Sequence, residues 1–68
     1  MEPTKSKYEV GKKLLIVVGD CESYASILDK RYNHNKGTWE YIITGKGSCG
    51  NIKDKVTEEF IMEYNYAI

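Results

Sequence analysis

Residues 23–44 read SYASILDKRYNHNKGTWEYIIT, and this stretch determines the fold that we predict. Two runs rich in Ile, Tyr, Trp and Thr flank NHNKG, residues 33–37, whose Asn and Gly residues are favoured in turns. This succession predicts a β-hairpin that runs from Tyr24 to Thr44. Because an isolated hairpin is only marginally stable in water, the flanking segments must pack against it.

The register of the hairpin follows from the side chains that face each other across it. A loop of residues 33–37 sets four pairs: Ile27 with Ile43, Leu28 with Ile42, Lys30 with Glu40, and Arg31 with Trp39. A slip of one residue would set Asp29 opposite Glu40, and facing like charges are unfavourable. We therefore expect the first register.

The segments on either side complete a small β domain. Residues 8–20, YEVGKKLLIVVGD, read as a strand, and residues 45–51, GKGSCGN, read as a loop. Residues 52–66 are ambiguous, because their apolar spacing suits a helix whereas residues 60–64 also suit a closing strand. A fifth strand would remove the exposed edges of the sheet. We therefore predict an all-β fold, a curled antiparallel barrel of five strands, with a short C-terminal helix as the alternative ending.

The predicted domain spans residues 8–64. Residues 1–7, MEPTKSK, have little to bury and read as a flexible basic arm, and residues 65–68 read as a tail. Val18 shares a face of the first strand with three core positions. The inner faces of the strands supply the core that we expect: Val10, Leu14, Ile16, Ala25, Ile27, Tyr41, Ile43, Val56 and Ile61.

Length and charge limit the classes of function. A chain of 68 residues forms one small domain that buries only about 60% of its unfolded surface, which favours a shallow binding surface over a deep cleft. Ten basic residues balance ten acidic ones, which excludes a globally polycationic clamp on DNA and a global acidic mimic of nucleic acid. Any electrostatic attraction for a charged partner must therefore come from a local patch.

Several kinds of chemistry are disfavoured by the residues present. The apolar run LLIVV, residues 14–18, is far shorter than the roughly 20 residues of a membrane span, and no signal-peptide pattern is present, so we read the chain as intracellular. Cys21 and Cys49 could close one disulfide, but scaffolds stapled by disulfides usually carry more cysteines, so we read both as thiols. With His34 they make too few ligands for a closed zinc site, and we expect no metal and no cofactor.

No catalytic pattern emerges either. A single histidine leaves no convincing nucleophile and base pair, and we expect no enzyme and no small-molecule substrate. The spacing of Gly45, Gly47 and Gly50 matches the dinucleotide fingerprint, but that fingerprint requires a βαβ unit with an acidic residue about 20 positions further on. Because 18 residues follow Gly50 in this sequence, we do not expect a dinucleotide site.

Surface recognition remains, and the hairpin carries the pattern for it. Basic residues interleaved with aromatic ones suit a phosphate backbone with stacked bases, so we predict binding of RNA or DNA by a monomer or weak dimer. The residues expected to form this surface are Lys12, Lys13, Lys30, Arg31, Tyr32, His34, Lys36 and Trp39. The plain alternative is that Arg31 packs on Trp39 while the lysines are solvated.

A second class of function is a protein adaptor. Leu28 and Ile42 lie on the face opposite Ile27 and Ile43, and with Tyr32 they could form an uncovered apolar patch. Salt distinguishes the two classes, because phosphate contacts weaken steeply with salt whereas apolar contacts do not.

Four segments follow one another along the chain: VGKKLLIV at 10–17, SYASIL at 23–28, YIIT at 41–44 and DKVTEEFI at 54–61. Together they resemble the chromo barrel, or Tudor-knot, of MYST-family histone acetyltransferases. The resemblance covers residues 8–62 and implies an SH3-like barrel, chromatin proteins as partners, a nuclear location and acetyltransferase activity in a longer parent protein.

The chain departs from that family at its aromatic cage. Lys55 stands where the family typically has Trp, and Thr44 where it often has an aromatic residue. Tyr8 and Tyr24 remain as a residual cage, and recognition of methyl-lysine needs several aromatic faces around the cation. The resemblance therefore implies the fold more than it implies methyl-lysine recognition.

Overall fold

The computed structural model describes residues 5–67 and contains a four-stranded antiparallel sheet followed by a short helix. Each strand pairs with its neighbour in the chain, in the order β1-β2-β3-β4. The elements are β1 (Lys13–Val18), β2 (Cys21–Asn33), β3 (Thr38–Gly47), β4 (Gly50–Thr57) and α1 (Glu58–Tyr64). The prediction of a small, mainly β domain of antiparallel strands is confirmed. Residues 1–4 of the predicted arm and residue 68 of the predicted tail lie outside the described residues.

The ambiguous C-terminal stretch divides into a strand and a helix. The predicted closing strand at residues 60–64 is wrong, because α1 occupies them. The helix begins after Thr57, whose side-chain oxygen accepts the Phe60 N–H at 3.1 Å, and two acidic residues in the first turn complement the helix dipole. Burial of Ile61 fixes the helix against the sheet.

The chain beyond the helix returns to β1. Asn65 forms a single antiparallel bridge with Ile16, and its side-chain oxygen accepts the Leu15 N–H at 3.0 Å. The Tyr66 N–H in turn donates to the Leu15 carbonyl oxygen at 2.8 Å. Residues 65 and 66, which were predicted to belong to a tail, thus form hydrogen bonds with backbone groups on the outer edge of β1.

A β-bulge at Leu28 changes the predicted hairpin register. Ile27 lies opposite Ile43 as predicted, but Asp29, and not Leu28, lies opposite Ile42. The predicted pairs beyond this point are therefore wrong by one residue. The observed pairs are Lys30 with Tyr41, Arg31 with Glu40, Tyr32 with Trp39 and Asn33 with Thr38. The shift is favourable because it sets unlike charges and two aromatic rings opposite each other.

The loop between β2 and β3 has four residues, 34–37, and not the predicted five. Asn33 is the last residue of β2, and its side-chain oxygen accepts the N–H groups of Asn35 at 3.0 Å and Lys36 at 3.2 Å. Its carbonyl oxygen accepts the Gly37 N–H at 2.8 Å, and Gly37 supplies the positive φ of 65° that closes the loop.

The core matches the predicted set except at Val10. Val10 is 54% exposed because it lies in a turn with Gly11, whose φ is 92°, so that β1 begins at Lys13 and not at Tyr8. Val18, predicted on the core face, is also partly exposed at 44%. The buried apolar residues are Leu14, Ile16, Ala25, Ile27, Tyr41, Ile43, Val56 and Ile61.

The two cysteines form a disulfide, so the interpretation of free thiols was wrong. Cys21 and Cys49 have Cα atoms 5.6 Å apart and join the β1–β2 turn to the β3–β4 turn. In a sheet of the order β1-β2-β3-β4, the first and third turns lie at the same end, so the two cysteines are brought close together.

The predicted loop at 45–51 consists mainly of strand, with residues 48 and 49 as the turn. A side chain at Gly45 would collide with the β2 backbone. Close packing of the strands therefore explains this glycine, and a dinucleotide-binding loop is not needed to explain it.

Candidate nucleic-acid interface

The structure divides the predicted hairpin surface between two faces of the sheet. Cross-strand pairing places Lys30 and Tyr32 on the inner face with the core residue Tyr41 and with Trp39. Arg31 lies on the outer face, opposite Glu40. His34 and Lys36 are exposed in the loop, and Lys12 is exposed just before β1. Lys30, Arg31, Tyr32 and His34 nevertheless line one groove beside the hairpin, whereas Lys12 and Lys36 do not line it.

Lys30 is engaged within the protein. Its Nζ donates to Glu9 Oε2 at 2.9 Å and to Ser6 Oγ at 2.8 Å, and it lies 5.5 Å from the centre of the Trp39 ring. The hydrogen bond from Lys30, and then its charge, lower the pKa of the Glu9 carboxyl. Lys30 thus holds residues 6–9 against the sheet.

The aromatic residues of the hairpin pack against one another. The Tyr32 ring meets Trp39 edge to face at 5.5 Å and His34 at 4.9 Å. Trp39 also packs against the core. The alternative in which Arg31 packs on Trp39 does not fit this register, because the two side chains lie on opposite faces.

The two tyrosines of the residual cage are not brought together. Tyr8 is half-buried and meets Tyr41 edge to face at 5.7 Å. Burial, and then the charge of Glu58, raise the pKa of Tyr8. Tyr24 is 69% exposed on the outer face of the sheet. No aromatic cage is assembled from this pair.

A groove of about 510 Å³ runs beside the hairpin on the outer face. Its lining includes the predicted binding residues Lys30, Arg31, Tyr32 and His34 together with Lys55. Asp29 and Glu40 also line it, so its charge is mixed. Glu40 Oε1 lies 3.8 Å from Lys55 Nζ, which neutralises part of the positive charge. Two carboxylates make this groove a poor phosphate site.

The expected apolar adaptor surface is divided too. Leu28 is half exposed at the bulge, and Ile42 is partly buried in the wall of the hairpin groove. Tyr32 packs edge-on against Trp39. The three residues do not combine into one uncovered apolar patch.

A different surface lies on the outer face toward the disulfide end of the sheet. One row of paired residues crosses all four strands: Lys13, Ser26, Thr44 and Lys53. The next row is Leu15, Tyr24, Lys46 and Asn51. The exposed basic and aromatic residues of these two rows are Lys13, Tyr24, Lys46 and Lys53, and we call them the outer-face patch.

The outer-face patch is open and positively charged. Two shallow grooves of about 650 and 380 Å³ meet along Thr44, Gly45 and Lys46, between Tyr24 on one side and Lys53 on the other. The ion pairs found within residues 5–67 are Lys30 with Glu9 and Lys55 with Glu40, so the lysines of the patch take part in neither. Its positive charge is therefore available to an anionic partner.

The sequence prediction missed Lys46, Lys53 and Tyr66. Tyr66 is 62% exposed and lies beside Leu15, with β1 between it and Tyr24. The alternation of residues along β2, β3 and β4 was the signal that could have found this surface. It was hidden because residues 45–51 read as a loop, which removed Lys46 from any strand.

No protein-family model, no curated protein and no solved structure matches this chain. Within residues 5–67 no helix is long and apolar enough to cross a membrane. The same residues contain no cluster of His, Cys, Asp and Glu side chains arranged to hold a metal ion. Function is therefore inferred from the surface chemistry of the described residues.

Proposed function

We propose that this chain is a non-catalytic module that binds RNA or DNA, single strands in preference to a defined duplex sequence, through the outer-face patch. The observation that carries the proposal is the placement of three exposed lysines around the exposed ring of Tyr24 on one open sheet face. Lysines attract the phosphate backbone, and an exposed aromatic ring stacks with any base.

The floor of the patch suits close approach of a strand of nucleic acid. Ser26 and Thr44 are small hydroxyl-bearing residues between Lys13 and Lys53. Tyr66 is a second exposed tyrosine near the patch, and its backbone lies two strand spacings, about 10 Å, from that of Tyr24.

The acidic residues are divided between the two faces. Glu9, Glu58, Glu59 and Glu63 belong to the N-terminal turn and the helix, which cover the inner face of the sheet. Glu22, Asp29 and Glu40 lie on the outer face, outside the row that joins Lys13 to Lys53. The zero net charge of the chain limits the affinity, because only the local patch attracts phosphate. With about three to five phosphate contacts, the log of the binding constant should fall against log salt with a slope of roughly −2 to −4.

His34 has no catalytic role in this function. It lies in the hairpin loop with its ring against Tyr32, away from the outer-face patch. No nucleophile is positioned against it by the contacts of the described hairpin residues. Binding alone is the function inferred.

From the arrangement of strands and helix, we also propose that the domain is an SH3-like barrel of the chromo-barrel kind. The supporting features are the four-stranded meander, the short helix after β4 and the return of residues 65 and 66 to β1. Membership of a chromatin-associated protein, including a histone acetyltransferase, follows only from this resemblance. Methyl-lysine recognition is not proposed, because Tyr8 and Tyr24 lie on opposite faces and Lys55 would repel a cation.

Fluorescence anisotropy with labelled single-stranded RNA, single-stranded DNA and duplex DNA tests this function. We expect salt-sensitive binding of the single strands and a large loss of affinity in the variant Lys13→Glu with Lys46→Glu. The matched control, Lys12→Glu with Lys36→Glu, makes the same change of charge outside the outer-face patch and should bind like the parent. Equal binding by both double variants, or no salt-sensitive binding by the parent, would overturn the proposal.

A further inference from the structure

The two edges of the sheet differ in how they are covered. On β1 the backbone N–H and carbonyl of Leu15 are both bonded to residues 65 and 66. On β4 the Lys55 N–H donates to the side chain of the preceding residue, Asp54, at 2.8 Å. This amide therefore points away from β3, and the alternation of the ladder places the backbone groups of Lys53 and Asn51 on the same outer edge. Within the described residues, β4 is an edge strand with no further strand beside it.

An apolar groove lies directly inside this edge. Its volume is about 260 Å³, enough for one or two aliphatic side chains, and it opens between β1 and β4 at the disulfide end of the sheet. The inward side chains of β4, Ile52, Asp54 and Val56, form one wall, and Phe60 closes the helix end. The rest of the lining is Ile16, Val18, Cys21, Ser23, Ile43 and Cys49.

The other side of the same edge is basic. Lys53 and Lys55 are exposed on the outer face, where they alternate with the groove-lining residues of β4. A peptide that extends the sheet at β4 would therefore meet an apolar groove on one side and lysines on the other. Its residues would alternate in the same way.

We propose that the β4 edge binds an extended peptide segment of a partner protein in which apolar and acidic residues alternate. Main-chain hydrogen bonds to the outward groups of Asn51 and Lys53 would provide affinity, since the Lys55 N–H is already bonded to Asp54. The two sides of the edge would select the side chains. The apolar residues enter the groove, and the acidic residues meet Lys53, because Lys55 already lies 3.8 Å from Glu40. A second copy of this chain is a poor occupant, because antiparallel pairing of two β4 strands would bring the lysines of both copies together.

The probe is a short synthetic peptide in which Val and Glu alternate, titrated into the isotopically labelled protein and followed by amide NMR. Saturable shifts are expected at residues 51, 53 and 55 and at the groove residues Ile52 and Val56. A control peptide in which Val and Lys alternate should bind at least about tenfold more weakly. Shifts confined to other surfaces, equal binding of the two peptides, or no saturable shift would each overturn the proposal.

Two variants locate the contact. Lys53→Glu should weaken binding of the acidic peptide about tenfold, whereas Lys36→Glu, an identical change in the hairpin loop, should leave it unchanged. Val18→Ser removes an apolar contact from the rim of the groove at a site that is already 44% exposed, so the fold should tolerate it. This variant should weaken binding of the peptide and leave binding of oligonucleotides unchanged. The two results together would distinguish a site at the β4 edge from one on the outer-face patch. If Val18→Ser leaves peptide affinity at the parent level, the groove is not the site.

Discussion

The phenolic O–H of Tyr41 donates a hydrogen bond of 2.7 Å to Glu58 Oε2, and this contact joins the middle of the sheet to the first turn of the helix. Tyr41 is fully buried. The same carboxylate oxygen accepts the Lys7 N–H at 3.1 Å. Glu58 therefore links three parts of the chain that are distant in sequence: the N-terminal segment, β3 and α1.

Removal of the Tyr41 hydroxyl should destabilise the fold. Hydrogen bonds to charged groups contribute about 1.5–3 kcal/mol, so Tyr41→Phe should lower the free energy of unfolding by that amount. Tyr24→Phe removes the same hydroxyl from a ring that is 69% exposed and should have little effect. Urea denaturation followed by circular dichroism makes the comparison. Equal midpoints for Tyr41→Phe and the parent would show that the contact is not stabilising.

High pH should unfold the protein through the same residue. Burial, and then the hydrogen bond to Glu58, raise the pKa of Tyr41 above its ordinary value of 10.0. Its contribution to stability is full below about pH 10 and is lost as the pH rises through the folded-state pKa, because the unfolded chain then releases the proton more readily. Stability measured from pH 8 to pH 12 should therefore fall above about pH 10. The fall should be less steep in Tyr41→Phe, and an identical pH profile would contradict this origin.

The two neighbours at the bulge should respond very differently to truncation. Ile27 is almost fully buried, so Ile27→Ala should cost about 2–5 kcal/mol of unfolding free energy. Leu28 is half exposed and has no cross-strand partner, so Leu28→Ala should cost less than about 1 kcal/mol. Thermal melts of the two variants and the parent check the ranking. A larger loss for Leu28→Ala would mean that the inner and outer faces of β2 had been exchanged.

The alternation of residues along the strands predicted the core well, because burial of Ile27, Tyr41 and Ile43 depends only on which face each side chain occupies. The bulge was not predictable in the same way. Leu28 is apolar and fits either register, whereas the favourable contact of Tyr32 with Trp39 appears only after the shift. That single extra residue decided which hairpin side chains share a face, so the candidate binding surface could not be placed from sequence.

The disulfide was missed for a different reason. Two cysteines in a short chain are compatible with thiols or with a bridge, and only the folding of both turns to one end of the sheet brings Cys21 near Cys49. The glycines at 45, 47 and 50 also suggested a loop, although two of them lie in β3 and the third begins β4. Close approach of strands and a tight turn select glycine as strongly as a flexible loop does.

Loss of the disulfide should destabilise the domain substantially. The bridge spans 28 residues of sequence, and closing a loop of that length in the unfolded chain corresponds to about 3.5 kcal/mol. Cys21→Ser with Cys49→Ser should lower the free energy of unfolding accordingly, and reduction of the parent with dithiothreitol should have a similar effect. Thiol counting by mass spectrometry confirms the redox state of each sample. Coincident denaturation curves for oxidised and reduced protein would contradict the expectation.

Charge reversal should separate a structural lysine from a binding lysine. Lys30→Glu replaces a cation that is bonded to Ser6 and Glu9 with a second carboxylate next to Glu9, so the denaturation midpoint should fall. Lys46→Glu makes the same change of charge on the exposed outer-face patch, where it takes part in neither of the ion pairs of residues 5–67. Its denaturation midpoint should match that of the parent, while its affinity for single-stranded oligonucleotide falls and the salt slope becomes shallower by roughly one phosphate contact. Melting curves and anisotropy titrations on both variants provide the four measurements. If Lys30→Glu retains full stability and loses binding while Lys46→Glu keeps it, the nucleic-acid surface lies on the hairpin and not on the outer-face patch.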